Sequence, residues 1–289
     1  MKFYDLYRTL PKKPGFDDEN VIEKLIEVVA FSHECLERTD ILDLTSMVEE
    51  KTYFAFGKQS EHTRAVNAAL FISEKESVTD RLGVLLREPF SNQLDSEEIT
   101  RVVYSAAMLF CCANDLRTKN DQKTPGTFFE YLIRILFSVH LGCAAQTSLP
   151  VMNMDEDCWL PTDLVYDLGA KKPKFHIPVK TSTRERIIQV WAHQRVVDGA
   201  YGVGRFLGLP CIMAETKVDS RKKEVVEICL PNQWRLYQLF IAQLWGVCYL
   251  DLPAKYEALN HVYPLLRIKT AGDFLEKDGI LETFLKSIS

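Results

Sequence analysis

Past the polar stretch DLRTKNDQKTPG and one further apolar helix the hydrophobic period of the chain changes, and this change constrains the fold more than any other feature. Before it, NVIEKLIEVVAFSHECLERTDIL, TDRLGVLLREPF and SEEITRVVYSAAMLFCCANDL place apolar residues three and four apart, the spacing of amphipathic helices. SEEI offers a helix start. After the polar stretch, TFFEYLIRILFSVHLG reads as one apolar helix with Gly142 as its stop. CWLPTDLVYDLG and KFHIPVKTS then alternate or run apolar between Pro and Gly, as strands do. RERIIQVWAHQRVVDGAYG reads as a helix, LPCIMAETKVDSRKKEVVEICLP as a hairpin, and WRLYQLFIAQLWGVCYLDL as a helix. That order predicts an α/β (α+β) chain: a mixed central sheet flanked by helices, residues 121–289, behind a mostly helical N-terminal region, residues 1–120, packed on it. Pro125-Gly126 marks the best boundary, and neither internal repeats nor low-complexity segments occur.

Bulk properties exclude several classes. The 289 residues are 47% hydrophobic and 26% charged, enough for one large domain or two small ones. The sequence holds no run of eighteen apolar residues, so no membrane partner is expected. MKFYDLYRTLPKKPGFDDEN lacks the apolar stretch and cleavage site of a signal peptide, and a cytoplasmic location is the default. The eight cysteines show no C-x-x-C spacing and sit in runs such as MLFCCAN, which suits buried free thiols rather than a zinc site. No P-loop, G-x-S-x-G or H-E-x-x-H is present, and the glycines of DGAYGVGRFLG read as a turn after a helix. Trp191, four residues after Ile187, is a core position.

Net charge is −5, yet Lys171, Lys172, Lys174, Lys180, Arg184 and Arg186 cluster against Glu185 alone, and Lys217, Arg221, Lys222 and Lys223 follow. A local basic patch on an acidic chain can still track phosphates. Strand alternation sharpens this. In PTDLVYD, Asp163 and Asp167 share a face opposite Leu164 and Tyr166. In FHIPVK, His176, Pro178 and Lys180 lie opposite Phe175, Ile177 and Val179. If the strands are neighbours, Asp163 and Lys180 meet, a pair suited to a hard cation and a phosphate. Mg²⁺ keeps several waters, so few carboxylates suffice. Glu130, a charge within an apolar helix, is either solvent-facing or a further metal ligand. Glu215 and Lys217 form a second E-x-K, a spacing that chance also supplies.

These residues resemble the PD-(D/E)XK nuclease superfamily, and within it the type II restriction endonucleases that read sites containing CC/GG. The resemblance covers about residues 125–215. Gly126 to Glu130 is similar to a helical G-x-x-x-E element, Pro161-Thr162-Asp163 to P-x-D, and Val179-Lys180 to the strand end bearing the lysine. Lys180, Arg184, Glu185 and Arg186 match K-x-x-x-R-(D/E)-R position by position, the most specific of the four matches. The resemblance implies a restriction-endonuclease-like fold and Mg²⁺-dependent, site-specific cleavage of double-stranded DNA at a short palindrome. Asp163 and Glu130 would hold the metal, and Lys180 would contact the scissile phosphate. Arg184 and Arg186 would read guanine and Glu185 cytosine, which suits the donors and acceptors of those bases. A homodimer and a separate cognate methyltransferase would be its partners.

One position departs from the pattern. Two residues before the lysine stands Pro178 rather than an acid. The related group takes that acid from the following helix, where His193 and Gln194 stand, and either would give the metal a weaker charge. Asp167, Asp155, Glu156 and Asp157 are possible substitutes, without a spacing argument. A structure-specific or repair nuclease of the same fold, and a DNA-binding protein that does not cleave, are the competing readings.

Overall fold

The computed structural model describes residues 3–289 apart from 13, 59, 60, 120, 122, 151–157, 220 and 265. The N-terminal region holds α1 (Phe3–Tyr7), α2 (Glu19–Leu36), strands β1 (Ile41–Ser46), β2 (Tyr53–Lys58), β3 (Glu61–His62) and β4 (Val66–Asn67), then α3 (Lys75–Arg87) and α4 (Ser96–Arg117). SEEI does open a helix: Asp95 accepts from the Glu98 N–H while Glu98 reaches back to Asp95, closing a capping box. The four strands are a departure from the helical reading of this region. Residues 41–58 form an antiparallel hairpin, Ile41 opposite Phe56 and Leu44 opposite Tyr53.

Beyond it come α5 (Lys123–Leu141), β5 (Gln146–Pro150), β6 (Trp159–Asp167), β7 (Lys174–Ile177), β8 (Val179–Lys180), a 3₁₀ turn (Arg184–Arg186) and α6 (Ile188–Tyr201). Then follow β9 (Phe206–Gly208), β10 (Cys211–Ile212), β11 (Thr216–Val218), β12 (Glu224–Glu227), α7 (Pro231–Phe240), β13 (Val247–Tyr249), α8 (Ala254–Glu257), β14 (Ile268–Thr270), α9 (Ala271–Leu275) and α10 (Ile280–Ser287). Pro125 and Gly126 fall inside the first turn of α5 rather than in a linker. Proline is tolerated there because the first N–H groups of a helix lack partners in any case. Asp121 accepts from the N–H groups of Lys123 and Thr124, both at 3.0 Å, and so starts the helix.

The central sheet is mixed. β6 is antiparallel to β5 and β7, whereas β7–β9, β8–β10, β10–β13 and β13–β14 are parallel. Lys174 faces Phe206 and Val179 faces Cys211, the same offset on both sides of Pro178. One strand pair therefore runs through, interrupted where Pro178 lies opposite Pro210 and neither residue has an N–H to give. The Cys211 N–H still reaches the Pro178 carbonyl at 2.8 Å. A second sheet runs β11-β12-β1-β2-β3, with β1 parallel to β12, so the N-terminal hairpin and the C-terminal one share a ladder.

α5 is the central helix of the core. Phe128, Phe129, Leu132, Ile133, Leu136 and Phe137 are fully buried around its circumference, and Phe110 of α4 stacks on Phe128 with ring centroids 3.9 Å apart. A helix apolar on so many sides has to be enclosed, here by α4 and by the sheet. Each such side chain contributes about 1.5–3 kcal/mol of transfer free energy. Gly142, at φ 65°, ends α5 as expected. Trp191 is fully buried against Trp234, centroids 5.3 Å apart. Among the described residues no helix is long and apolar enough to cross a membrane.

Candidate functional site

The break at Pro178 shapes the site. The β6–β7 ladder runs to Leu164 opposite Ile177, which places Asp163 beside Pro178. With no proline N–H to bond, the next donor, the Val179 N–H, turns onto Asp163 Oδ2 at 2.9 Å. Lys180 Nζ donates to the same oxygen at 2.6 Å. The alternation argument is thus realised: Asp163 and Lys180 share one side of two adjacent strands. α5 supplies the third group. Glu130 lines the same cavity of about 310 Å³ as Asp163, Lys180, Arg186 and Gln189. Its Oε1 accepts from Arg134 Nη2, one turn along, at 2.8 Å.

The electrostatics suit a cation. Burial and then the charge of Asp163 push the Glu130 carboxyl above its usual range, while Arg134 and Lys180 pull the other way. Two carboxylates that repel one another across a water-accessible cavity fit a hydrated Mg²⁺, which needs few protein oxygens. No cluster of three or more His, Cys, Asp or Glu side chains gathers into a metal cage among the described residues.

Neither His193 nor Gln194 is among the residues that line this cavity. Gln194 is buried: its Oε1 accepts from His176 Nδ1 at 3.1 Å, and its Nε2 donates to Asp198 Oδ1 at 2.9 Å and to the Phe206 carbonyl at 3.1 Å. The sheet closes over this amide. A Cβ on Gly208 would lie 2.6 Å from Gln194 Oε1. His193 stacks on His176, whose pKa burial pushes down to about 4. The phase of α6 turns Gln194 inward. Asp167, at the far end of β6, pairs with Lys174 at 2.6 Å. Asp155, Glu156 and Asp157 lie outside the described residues.

The RER turn follows directly. Arg186 is exposed and lines the small cavity. Arg184 lines a larger cleft of about 830 Å³, together with residues 61–65, Lys119, Lys217 and Lys223. Thr181 and Ser182 line both, so the two hollows adjoin. Arg184 sits at φ 41°, a region that costs a side-chain-bearing residue roughly 1–2 kcal/mol. Its Nη2 donates to the Thr216 carbonyl at 2.9 Å, while its Nε is buried without a partner. Glu185 lies in the turn by its backbone.

Glu215 and Lys217 do not act as a pair. Lys217 is exposed on the larger cleft, whereas Glu215 is fully buried and bonded to residues 182–184 and Tyr249. Sequence reasoning missed Gln189, which carries no distinguishing signal. It set Glu215 aside, although an acid closing the apolar run LPCIM was a signal of a special position.

No family model matches the sequence, and no curated protein matches it. A solved structure titled as the crystal structure of the type IIP restriction endonuclease Kpn2I is similar over 99% of this chain and 95% of that one, with a TM-score of 0.77 and 24% identity. The fold is therefore restriction-endonuclease-like. A complex of the restriction endonuclease PspGI with substrate DNA aligns over 73% of this chain and 91% of that one, at 14% identity and a TM-score of 0.47.

Proposed function

We propose that the chain is a Mg²⁺-dependent type II restriction endonuclease that hydrolyses double-stranded DNA at a short palindrome containing GG/CC. The observation that carries this reading is the convergence of Glu130, Asp163 and Lys180 on one cavity that Arg186 of the RER turn also lines. The fold shared with Kpn2I supports it.

Asp163 and Glu130 would hold the metal, which supplies Lewis acidity to the scissile phosphate. Lys180 Nζ has three donors and gives one to Asp163. The other two are free for a phosphate oxygen and for the attacking water, whose approach they orient in line with the leaving oxygen. Asp163 thereby fixes Lys180 as well as the cation. Arg184 and Arg186 would each present a fork of donors to guanine O6 and N7, and Glu185 would accept from cytosine N4. Because the turn begins four residues after Lys180, reading and cutting are coupled through a short covalent path. A palindrome is matched by a two-fold dimer, so the active form is a homodimer. It would act in the cytoplasm beside a methyltransferase that protects host DNA.

The test is digestion of unmethylated plasmid and phage DNA in Mg²⁺ by wild type, Lys180→Ala and Arg186→Ala. Discrete fragments are expected from wild type, with a loss of about a hundred- to a thousandfold in Lys180→Ala. A smear that depends on Lys180 would indicate a nonspecific or repair nuclease. Absence of cutting in both Mg²⁺ and Mn²⁺ would leave a binding protein.

A further inference from the structure

We infer that Glu215 is a positioning residue for the DNA-reading turn, holding Thr183 and Arg184 so that Arg184 faces the larger cleft and Arg186 the small cavity. The inference rests on the nuclease reading above. Beyond β10 the chain continues alongside the catalytic strand: the Met213 N–H bonds to the Lys180 carbonyl at 3.0 Å and the Ala214 N–H to the Thr181 carbonyl at 3.3 Å. This register delivers the next side chain, Glu215, beneath the turn. There its carboxylate accepts from the Thr183 N–H at 3.1 and 3.2 Å, the Arg184 N–H at 2.8 Å, the Thr183 hydroxyl and the Ser182 hydroxyl at 3.3 Å. Tyr249 OH donates to it from β13 at 2.9 Å.

Two features separate this from a carboxylate that merely satisfies a buried corner. Apart from Tyr249, every donor to the Glu215 carboxylate comes from residues 182–184, and Ser182 lines both hollows. The bonds also anchor the residue that needs anchoring. Arg184 occupies left-handed backbone space, and an arginine does not stay there unless its surroundings impose it. Two successive N–H groups at a turn's start, those of Thr183 and Arg184, point at one carboxylate oxygen, and an amide in its place would have to turn its NH₂ toward the Thr183 hydroxyl and Tyr249 OH, which donate to the other oxygen. Direction of the two arginines therefore depends on a residue that touches neither DNA nor metal.

The experiment compares full-length wild type and Glu215→Gln, with thermal melting and with binding to a cognate duplex and an unrelated duplex in Ca²⁺. Glu215→Gln is expected to weaken cognate binding by about ten- to a hundredfold, the scale of one misdirected base contact. Binding to the unrelated duplex should stay within about twofold, because phosphate contacts do not depend on the turn. A merely structural carboxylate would lower melting and both affinities together. A folded Glu215→Gln protein that keeps the wild-type ratio of affinities would overturn the inference and leave the nuclease reading intact. A wild type without preference for any sequence would overturn both. Should Glu215→Gln fail to fold, Thr183→Val, which removes one donor from the same carboxylate, is expected to reduce the ratio by about two- to tenfold, and an unchanged ratio would overturn the inference.

Discussion

Asp163 and Lys180 were legible because strand alternation with prolines at its edges leaves little freedom: on adjacent strands both side chains project to one side. Gln194 was not, and the reason is helical phase. α6 begins at Ile188, and its buried residues, Val190, Trp191, Gln194, Val197 and Asp198, recur at three- and four-residue steps. Counting from a catalytic lysine ignores that stripe, whereas counting from Trp191 would have placed 194 inside. The consequence is testable. A carboxylate at 194 could no longer donate, and its oxygens would face Asp198 Oδ1 and the Phe206 carbonyl. Gln194→Glu is expected to destabilise the protein by about 3 kcal/mol, read as a lower urea midpoint, without raising Mg²⁺ affinity or cleavage rate. A faster or more tightly metal-binding Gln194→Glu enzyme would return this position to the active site.

At the scale of elements, the long periodic helices α2, α4 and α5 and the strands β6 and β7 were readable, and the short buried strands were not. WRLYQLFIAQLWGVCYLDL reads as one helix, yet α7 stops at Phe240 and Val247–Tyr249 joins the sheet as β13. Three apolar residues buried on both faces have no period to distinguish them. ILDLTS was lost for another reason: only Leu44 of it is buried, and it follows closely on the apolar run of α2. α5 offers a prediction of its own. His140 is buried near its end, with Nδ1 against the Leu136 carbonyl at 2.8 Å and Nε2 without a partner. Burial pushes its pKa down to about 4. The unfolded chain, with an ordinary value of about 6.5, therefore takes the proton first. The stability that His140 permits is complete above about pH 6.5 and falls as pH drops toward 4, by about 3 kcal/mol in all. His140→Leu should flatten that part of the profile, so that the loss of stability between pH 7 and pH 5 is about 2 kcal/mol smaller than in wild type. Urea titrations at the two pH values would show it, and parallel profiles would mean the imidazole is protonated in place.

At the scale of the whole molecule, the N-terminal region lines the larger cleft together with the RER turn. Lys51 Nζ, in the loop between β1 and β2, bonds to Glu227 and Asp251 at 2.7 Å each and to the Leu252 carbonyl at 2.8 Å, tying that region to the far end of the chain. Residues 61–65 and Lys119 line the larger cleft together with Arg184, Lys217 and Lys223, and Lys223 Nζ bonds to His62 Nε2 at 2.9 Å. Its acids are mostly engaged: Glu61 pairs with Lys119 at 3.1 Å, Asp115 with Arg64 at 2.8 Å, and Asp121 caps α5. Arg184 and Lys217 remain without an ion-pair partner among the described residues, on a chain whose net charge is −5. Sequence could locate those cations but not that residues 61–65 share their cleft, because strands it did not reveal bring those residues there. If DNA runs from the small cavity into this cleft, each phosphate neutralised there releases counterions, and log affinity falls with log salt by about 0.9 per contact. Lys217→Ala should then reduce the slope by about 0.9, equally for cognate and unrelated duplexes, since a phosphate contact carries no sequence information. An exposed lysine on a hairpin that DNA never meets would leave the slope unchanged, and the N-terminal residues of the cleft would then need another partner, with a second copy of the chain as the next candidate.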